Sequence, residues 1–284
     1  MTKHYFIIVN YNSGTDLIKC VESILYSNNI NPLIIIIDNA SRDGSLEKCK
    51  ARFPKIIYIY NTHNIGFSAG INIGIRYALE RNATTITLCN PDAILNKNCA
   101  HELISVIAKK KADIISPIIY KYNSTKYWFA GGKISFIKIK TIHKNPTKKQ
   151  LSKKLITTDY ITGCVMTISP HIFQKISLFD ENFFLYYEDA DFSLRAKNAG
   201  FILGIIPNAK AYHKETSEQN NVQKTYFLVL SGLKFFNKHT HGLNKIWFHI
   251  HFMLRKLKNK FDRKRQKPFA QQVFKAFEDF GKNN

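Results

Sequence analysis

The sequence has no long hydrophobic run: nothing in its 284 residues approaches the roughly 18 apolar residues that a membrane-spanning helix needs. The apolar run at residues 33–37 has the length of one buried strand. Cysteine is also scarce and irregularly placed. The five cysteines lack the paired spacing of a zinc site. Their odd number and the lack of a secretory signal predict a reduced, cytoplasmic protein rather than a disulfide-bonded secreted one.

Acidic residues are few, because 20 Asp and Glu face 42 Lys and Arg, for a formal net charge of +22. Much of the excess positive charge lies in two segments. Residues 133–157 contain many lysines and no acid, and residues 255–267 hold eight Lys or Arg against one Asp. Such charge gives non-specific affinity for phosphates, so nucleic-acid binding is the rival class of function. The chain carries no helix-turn-helix, RNP or zinc signature, and we therefore expect no nucleic-acid partner.

Glycine is missing where two other nucleotide-binding classes need it. Residues 5–13 contain no glycine or arginine, whereas a sugar nucleotidyltransferase would normally carry a glycine- and arginine-rich triphosphate loop there. Gly66, Gly70 and Gly74 do not have the G-x-G-x-x-G spacing of a dinucleotide site. Small residues at their spacing let a helix approach a neighbour or a ligand closely, and helix–sheet packing explains Gly70 and Gly74 equally well.

Strands and helices alternate over the first 120 residues. Strands are predicted at residues 5–9, 33–37, 56–60, 84–89 and 113–119, with helices between them from about residues 17, 45, 64 and 98. This alternation predicts an α/β fold with a doubly wound, mostly parallel, twisted sheet and helices on both faces. A later strand at residues 201–206 is predicted to stop at a Pro-Asn break, which would leave His213 in a loop that folds back over the sheet edge.

Three acids, Glu188, Asp189 and Asp191, follow directly on an aromatic run. Carboxylates that leave an apolar segment in this way are typical of a pocket rim, where they remove a proton or hold a cation. The alternative is a helix N-terminus, because acids favour the first turn. That alternative accounts for one acid better than for three, and Asp191 is predicted to pair with Arg195 at the i,i+4 spacing.

Polar residues follow several predicted strands. Asn90 and Asp92 flank Pro91, which ends a buried strand, so Asp92 is predicted at the carboxyl edge of the sheet, where ligands of open α/β sheets bind. Oxygens two residues apart suit Mg²⁺ or Mn²⁺ carrying a diphosphate, although an ordinary Asn-Pro-Asp turn is the alternative. Acids and amides at the ends of the first two strands can hydrogen-bond a base or a ribose.

The order of these pieces resembles a known family. The segments are VNYNS (9–13), IIDNASRDGS (36–45), NIGFSAGINIGI (64–75), LCNPDA (88–93), ITGCVMTIS (161–169), FDENFFLYYEDADFSLRAKNAG (179–200) and YH (212–213). Over about residues 4–215 the chain resembles family 2 glycosyltransferases with the GT-A (Rossmann-like) fold. Within them it is similar to the bacterial rhamnosyltransferase-like branch that builds cell-surface polysaccharides. Seven motifs in order are specific to the superfamily and much less specific to the sugar.

The resemblance implies roles for individual residues. The nucleotide-sugar would be bound by Val9, Asn10, Tyr11, Asn12, Asp38, Asn39, Asn64, Gly66 and Asn90. Asp38 would contact a pyrimidine base. Asp92 would bind the metal and His213 would complete its site, while Asp189 would be the general base with Glu188 beside it. Two departures stand out: Asn90 replaces the usual first Asp of Asp-x-Asp, and Ser231-Gly232 stands where relatives often carry Arg-Asn.

The resemblance also implies an activity. The chain would be an inverting glycosyltransferase of the hexosyltransferase class that uses Mg²⁺ or Mn²⁺. The expected donor is dTDP-rhamnose, with a UDP-hexose as the alternative. The expected acceptor is a saccharide, polyprenyl-diphosphate-linked, in O-antigen or capsule (lipopolysaccharide-type) synthesis.

The predicted domains are a GT-A catalytic domain at 1–215, with a nucleotide-binding half (1–119) and an acceptor half (120–215), and a basic helical appendage at 216–284. Apolar residues between 247 and 257 recur at partly helical spacing beside the basic cluster at 255–267. This pattern predicts a helix on an anionic membrane surface, peripheral at the inner face of the bacterial cytoplasmic membrane. A solvated basic face and a simple compositional bias are the alternatives, and the sequence leaves a homo-oligomer open.

Overall fold

A computed structural model describes residues 2–214 and 222–282. The first half of the chain alternates as predicted: β1 (His4–Asn10), α1 (Asp16–Leu25), β2 (Pro32–Asp38), α2 (Ser45–Arg52), β3 (Ile57–Tyr60), α3 (Phe67–Glu80), β4 (Thr85–Cys89), β5 (Ala93–Leu95), α4 (Cys99–Ala108) and β6 (Ile114–Lys121). Next come β7 (Tyr127–Phe129), β8 (Gly132–Ser135), β9 (Lys140–His143), α5 (Lys148–Leu151), β10 (Ile156–Thr157), β11 (Val165–Ile168), α6 (Ile172–Ile176), α7 (Glu188–Asn198) and β12 (Leu203–His213). Three helices follow: α8 (Val222–His239), α9 (Gly242–Lys264) and α10 (Ala270–Lys282).

The main sheet has the strand order β10-β12-β6-β11-β4-β1-β2-β3, with β5 paired to β12 and β7 to β6. Strand β1 lies parallel to β2 and β4, β2 lies parallel to β3, and β6 lies parallel to β12. Strand β11 is antiparallel to both of its neighbours, β4 and β6. The predicted mixed α/β, mostly parallel sheet is therefore confirmed, and β11 is a reversed strand inserted between two parallel blocks.

Both faces of the central strands are covered. Six consecutive residues of β1, from Tyr5 to Asn10, are buried, as expected for a strand with helices on both sides of the sheet. Helix α3 packs closely on β1: a Cβ on Gly74 would lie 2.6 Å from Ile7 Cγ2, and one on Gly70 would lie 3.1 Å from Val9 Cγ1. Close helix–sheet packing therefore explains these two glycines.

Strand β12 differs from the prediction of a strand that ends before Pro207. It continues through the Pro-Asn pair to His213, and its pairing with β6 shifts register between Ile206 and Lys210. Proline is tolerated in sheets at such irregularities because no ladder hydrogen bond has to form there. His213 is consequently the last residue of a strand, not part of a returning loop.

The predicted C-terminal helical segment is present as α8, α9 and α10. The predicted boundary at residue 215 lies outside the described residues, and the division at residue 119, which stays a prediction, falls within β6. In the described part of the chain, no helix is both long enough and apolar enough to cross a bilayer.

Helix α8 is joined to α7 through the carboxylate of Asp191, which is fully buried. Its Oδ2 accepts a hydrogen bond from Arg195 Nε at 2.8 Å, and its Oδ1 lies 2.7 Å from Lys238 Nζ and 2.8 Å from His239 Nε2. The predicted Asp191–Arg195 pair is confirmed. Burial by itself would raise the pKa of Asp191, but the hydrogen bond from His239 and the charges of Arg195 and Lys238 outweigh it and hold the pKa at about 2.

We expect Asp191→Ala to lower the free energy of unfolding by about 3 kcal/mol, because it leaves three basic groups around an empty position. Asp159→Ala is the matched control, since its ion pair with Lys197 is largely solvated (side chains 31% and 49% exposed) and such pairs contribute about 1 kcal/mol or less. Urea unfolding at neutral pH measures both. Equal losses in the two variants would contradict the role given to Asp191.

The low pKa of Asp191 makes the stability of the folded protein depend on pH. A carboxyl with a depressed folded-state pKa stabilises the protein above its unfolded pKa of about 3.9, and this stabilisation is lost as the pH falls toward 2. The difference corresponds to roughly 2.6 kcal/mol. Asp191→Asn should therefore lose less stability than the wild type between pH 5 and pH 2.

Candidate active site

A cleft of about 560 Å³ opens at the carboxyl edge of β1 and β4. One wall carries Val9, Tyr11 and Asn12 from the end of β1, with Asn90 and Asp92 beside them. Trp128, His143 and the loop that leads into α7 line the cleft as well. Glu188, Asp189, His213 and Lys224 also line the cleft, so side chains from distant parts of the sequence meet in one cavity.

Asp189 is held at the start of α7 by backbone donors. Tyr186 and Tyr187 have φ angles of 69° and 65°, a left-handed turn that directs the chain into the helix. Asp189 Oδ2 accepts the Gly163 N–H at 3.0 Å, and Oδ1 accepts its neighbour's N–H, that of Ala190, at 2.7 Å. Burial raises the pKa of Asp189, and the two N–H groups offset part of that rise.

The reversed strand β11 connects this acid to the end of β4. Val165 pairs with Cys89, and one residue further the Asn90 N–H donates to the Cys164 carbonyl at 2.8 Å. Gly163, whose N–H donates to Asp189, directly precedes Cys164 in the chain and so lies one residue further from the sheet. The position of Asp189 is therefore fixed relative to the Asn90–Asp92 turn by sheet pairing.

Asp92 and His213 are brought together by the pairing of β5 with β12, in which Ala93 lies opposite His213. Asp92 Oδ1 lies 3.1 Å from His213 Nε2. The indole of Trp128 packs edge-on against the His213 ring, with ring centroids 4.2 Å apart. Two buried polar atoms here, Asn90 Oδ1 and His213 Nδ1, have no hydrogen-bond partner among residues 2–214 and 222–282.

This donor set fits a divalent cation that shares its coordination with a ligand. A carboxylate and an unpaired amide oxygen are ligands that suit Mg²⁺ and Mn²⁺, and an imidazole is a common metal ligand in proteins. No group of three or more His, Cys, Asp or Glu side chains in the described residues is arranged to hold a metal. Phosphate oxygens of a bound ligand and water would have to supply the remaining positions.

The predicted nucleotide-binding residues fall into two sets. Val9, Tyr11, Asn12 and Asn90 line the cleft, whereas Asn10, Asp38, Asn39, Asn64 and Gly66 do not. Asp38 accepts hydrogen bonds from Asn10 Nδ2 at 2.7 Å and from the Ser41 N–H and hydroxyl at 2.9 and 2.6 Å. Asn39 Nδ2 donates to Asn64 Oδ1 at 3.2 Å and to the Gly66 carbonyl at 3.0 Å. These side chains form a buried polar network behind the cleft wall.

Gly66 and the start of α3 hold the loop that precedes Glu188. Gly66 has φ of 87°, and a Cβ there would lie 2.7 Å from the Phe184 carbonyl oxygen. Phe67 N–H donates to that same oxygen at 2.7 Å, and Ser68 Oγ donates to the Phe183 carbonyl at 2.6 Å. The glycine-containing segment thus positions the acidic loop by backbone contacts.

Sequence reasoning missed several residues of the cleft. Trp128 and His143 come from β7 and β9, in a segment predicted only to form part of an acceptor half. His143 Nδ1–H donates to the Trp128 backbone carbonyl at 2.8 Å, which fixes the imidazole ring to β7. Gly163 lies in the ITGCVMTIS segment (161–169), and the sequence assigned it no role. The aromatic residues of 127–129 were the available signal, but only strand pairing brings them to the cleft.

Comparisons with known proteins agree on one family. The family model described as glycosyl transferase family 2 matches residues 5–177. The chain is 29% identical to the low-salt glycan biosynthesis hexosyltransferase Agl10 of Haloferax volcanii, over 79% of this chain and 71% of that protein. It is 24% identical to the dTDP-rhamnosyl transferase RfbF of Shigella flexneri (74% and 68% covered). It is 21% identical to an N-acetylglucosaminyl-diphospho-decaprenol L-rhamnosyltransferase of Mycobacterium tuberculosis (73% and 74% covered).

Solved structures share the fold at low identity. GalNAc-T7 with UDP, GalNAc and Mn²⁺ aligns with a TM-score of 0.69 and 17% identity, covering 99% of this chain and 55% of that one. S. aureus TarS aligns with a TM-score of 0.56 and 13% identity, covering 92% and 44%. The chain thus spans about half the length of these two proteins, and at such identities the likeness concerns the fold alone.

Proposed function

Because this chain belongs to glycosyl transferase family 2, we propose that it transfers L-rhamnose from dTDP-rhamnose, with inversion, to a saccharide acceptor. The chain is a glycosyltransferase with the GT-A fold. The donor, the acceptor and the roles of individual residues are the proposal. A UDP-hexose donor is the alternative.

The observation that carries the proposal is that one cleft holds both Asp189 and the Asp92–His213 pair. An inverting transfer needs one base on the acceptor side and charge stabilisation at the leaving diphosphate. Asp189 supplies a carboxylate whose position is fixed by two N–H donors and whose raised pKa lies closer to working pH than that of an ordinary Asp. It would take the proton from the acceptor hydroxyl.

Asp92 and His213 would hold a divalent cation, with Asn90 beside them. Such a cation, when bound, neutralises the negative charge that develops on a leaving diphosphate. Asn90 has no charge, so the protein would place one carboxylate rather than two next to the cation, and more of the cation's positive charge would remain to act on the phosphates.

The choice of sugar and acceptor is supported by the names of relatives. Two of them are named as rhamnosyl transferases, and one of these names an N-acetylglucosaminyl-diphospho-decaprenol acceptor. On this basis we propose a polyprenyl-diphosphate-linked saccharide as acceptor and cell-surface polysaccharide, such as O-antigen or capsule, as the product.

An acceptor of this kind lies at a membrane, and helix α9 has a surface suited to one. Its outer face exposes eight large apolar side chains, each between 40% and 84% exposed: Leu243, Ile246, Trp247, Ile250, Met253, Leu254, Leu257 and Phe261. Phe248, on the opposite face, is fully buried. Lys256, Lys258 and Lys260 flank this apolar stripe. Basic flanks favour an anionic lipid surface over a second copy, whose flanks would repel them. We therefore propose peripheral binding to the inner face of the cytoplasmic membrane.

The function is tested by incubating the purified protein with a panel of sugar nucleotides and measuring dTDP or UDP release. We expect release from dTDP-rhamnose, loss of activity in EDTA and recovery with Mg²⁺ or Mn²⁺. Asp92→Ala and His213→Ala should each weaken donor binding, because they remove groups placed to hold the cation. His171→Ala, an exposed histidine outside the cleft, is the control. Full activity in the chelator would overturn the metal assignment.

Asp189→Asn should lower kcat by about 100-fold or more, because it keeps the shape of the side chain and removes its basicity. Donor binding, measured by calorimetry, should remain. In the wild type, kcat/KM should fall as the pH drops through the raised pKa of Asp189, since a protonated carboxyl cannot accept a proton. Near-normal turnover of Asp189→Asn would exclude it as the base.

Removing the apolar stripe should weaken membrane binding. We expect the double variant Ile250→Ser and Leu257→Ser to sediment less with anionic liposomes than the wild type, and binding of both to fall as salt rises. Ile202→Ser changes a side chain that is 47% exposed elsewhere and serves as the control. If the wild type stays in the supernatant with anionic liposomes at low salt, the membrane proposal fails.

A further inference from the structure

Two consecutive acids at the cleft have unlike surroundings. Asp189 is half-buried, and each of its oxygens accepts a backbone N–H. Glu188 is only 5% exposed, and its Oε2 is buried without a hydrogen-bond partner among the described residues. A buried carboxylate oxygen that lacks a donor costs much more free energy than a neutral carboxyl group does. The environment therefore favours the neutral acid more strongly at Glu188 than at Asp189, where two N–H donors stabilise the carboxylate.

The charges around Glu188 act in the same direction. On its own helix it neighbours Asp189 and Asp191, and the cations that contact Asp191 are already engaged there. The other ionisable groups that line the cleft are Asp16, Asp92, His143, His213, Lys224, Cys164, Tyr11, Tyr160, Tyr186 and Tyr187. Within residues 2–214 and 222–282, no ion pair joins a basic side chain to Glu188. Burial and the charge of Asp189 raise the pKa of Glu188 well above its usual value.

We propose that Glu188 is a positioning residue that donates a hydrogen bond from its carboxylic acid O–H to a hydroxyl oxygen of the saccharide bound in the cleft. This inference rests on the proposed function. Two neighbouring acids in different environments divide the work: Asp189 accepts a proton, and Glu188 keeps its own. An ionised Glu188 could only accept hydrogen bonds, whereas the neutral acid can hold a hydroxyl oxygen beside Asp189.

The test compares two substitutions of similar size. Glu188→Gln keeps an N–H donor and cannot ionise, and Glu188→Met keeps the volume and has no donor. We expect kcat/KM of Glu188→Gln to exceed that of Glu188→Met by about 10-fold or more, the size of one lost hydrogen bond in a binding site. Glu80→Gln, a charge-matched change at a side chain that is 71% exposed, should not change kcat/KM. If the Gln and Met variants are equally impaired, the hydrogen-bond role is wrong.

A spectroscopic readout is independent of turnover. Infrared difference spectra at neutral pH should contain the carbonyl band of a protonated carboxyl in the wild type and in Glu80→Gln, and lack it in Glu188→Gln. The wild type should also lose kcat/KM at high pH, where Glu188 ionises, and Glu188→Gln should not show that loss. A wild type without the band overturns the proposal.

The two levels of inference can fail separately. If no sugar nucleotide in the panel is turned over, the proposed function fails, while the infrared band still decides the protonation state of Glu188. If the wild type is active and Asp189→Asn is not, but the band is missing, the proposed function stands and the role of Glu188 does not.

Discussion

The buried carboxylate of Asp191, with Arg195, Lys238 and His239 around it, is the contact on which the arrangement of the cleft depends. It lies in the first turn of α7, two residues after Asp189. The same helical turn therefore presents Glu188 and Asp189 to the cleft and binds α8 on its other side. Because Lys238 also contacts Asp180, the loop before the helix is tied to the same cluster. A displacement of α8 would therefore move Asp189, the proposed base.

The second constraint is the set of backbone contacts between the start of α3 and the aromatic loop at residues 179–187. Asn72 Nδ2 donates to the Phe179 carbonyl at 2.9 Å, and Ser68 reaches the Phe183 carbonyl. At Gly66 a side chain would collide with Phe184. Gly66, which the family resemblance assigns to the nucleotide, is thus engaged in holding the loop that carries the acids. Small and amide-bearing residues in this segment satisfy loop backbone groups that would otherwise be buried without partners.

Much of this architecture could be predicted from local patterns. Periodicity located the strands of the nucleotide half, and the polar residues after each strand marked the edge where the cleft lies. The i,i+4 spacing identified the Asp191–Arg195 pair. What could not be predicted depends on pairing between distant segments. The continuation of β12 past Pro207 requires its register with β6, and Trp128 reaches His213 only because β7 pairs with β6. Likewise, sequence cannot tell whether Asp38 faces a ligand or Ser41, since both suit an acid at a strand end.

The reversed direction of β11 has an effect on the chemistry of the sheet edge. Parallel strands end at this edge with carbonyl groups and turns, so donors usually come from helix N-termini. The segment that leads into a strand beginning there instead brings N–H groups to the same edge, and that of Gly163, two residues before β11, donates to Asp189. One of the two donors that hold Asp189 thus depends on strand alignment, while the other, Ala190, belongs to its own helix. A slip of β11 by a single residue would place Thr162 or Cys164 where Gly163 now lies and move the Gly163 N–H away from Asp189. Strand register therefore helps to determine where Asp189, the proposed base, lies in the cleft.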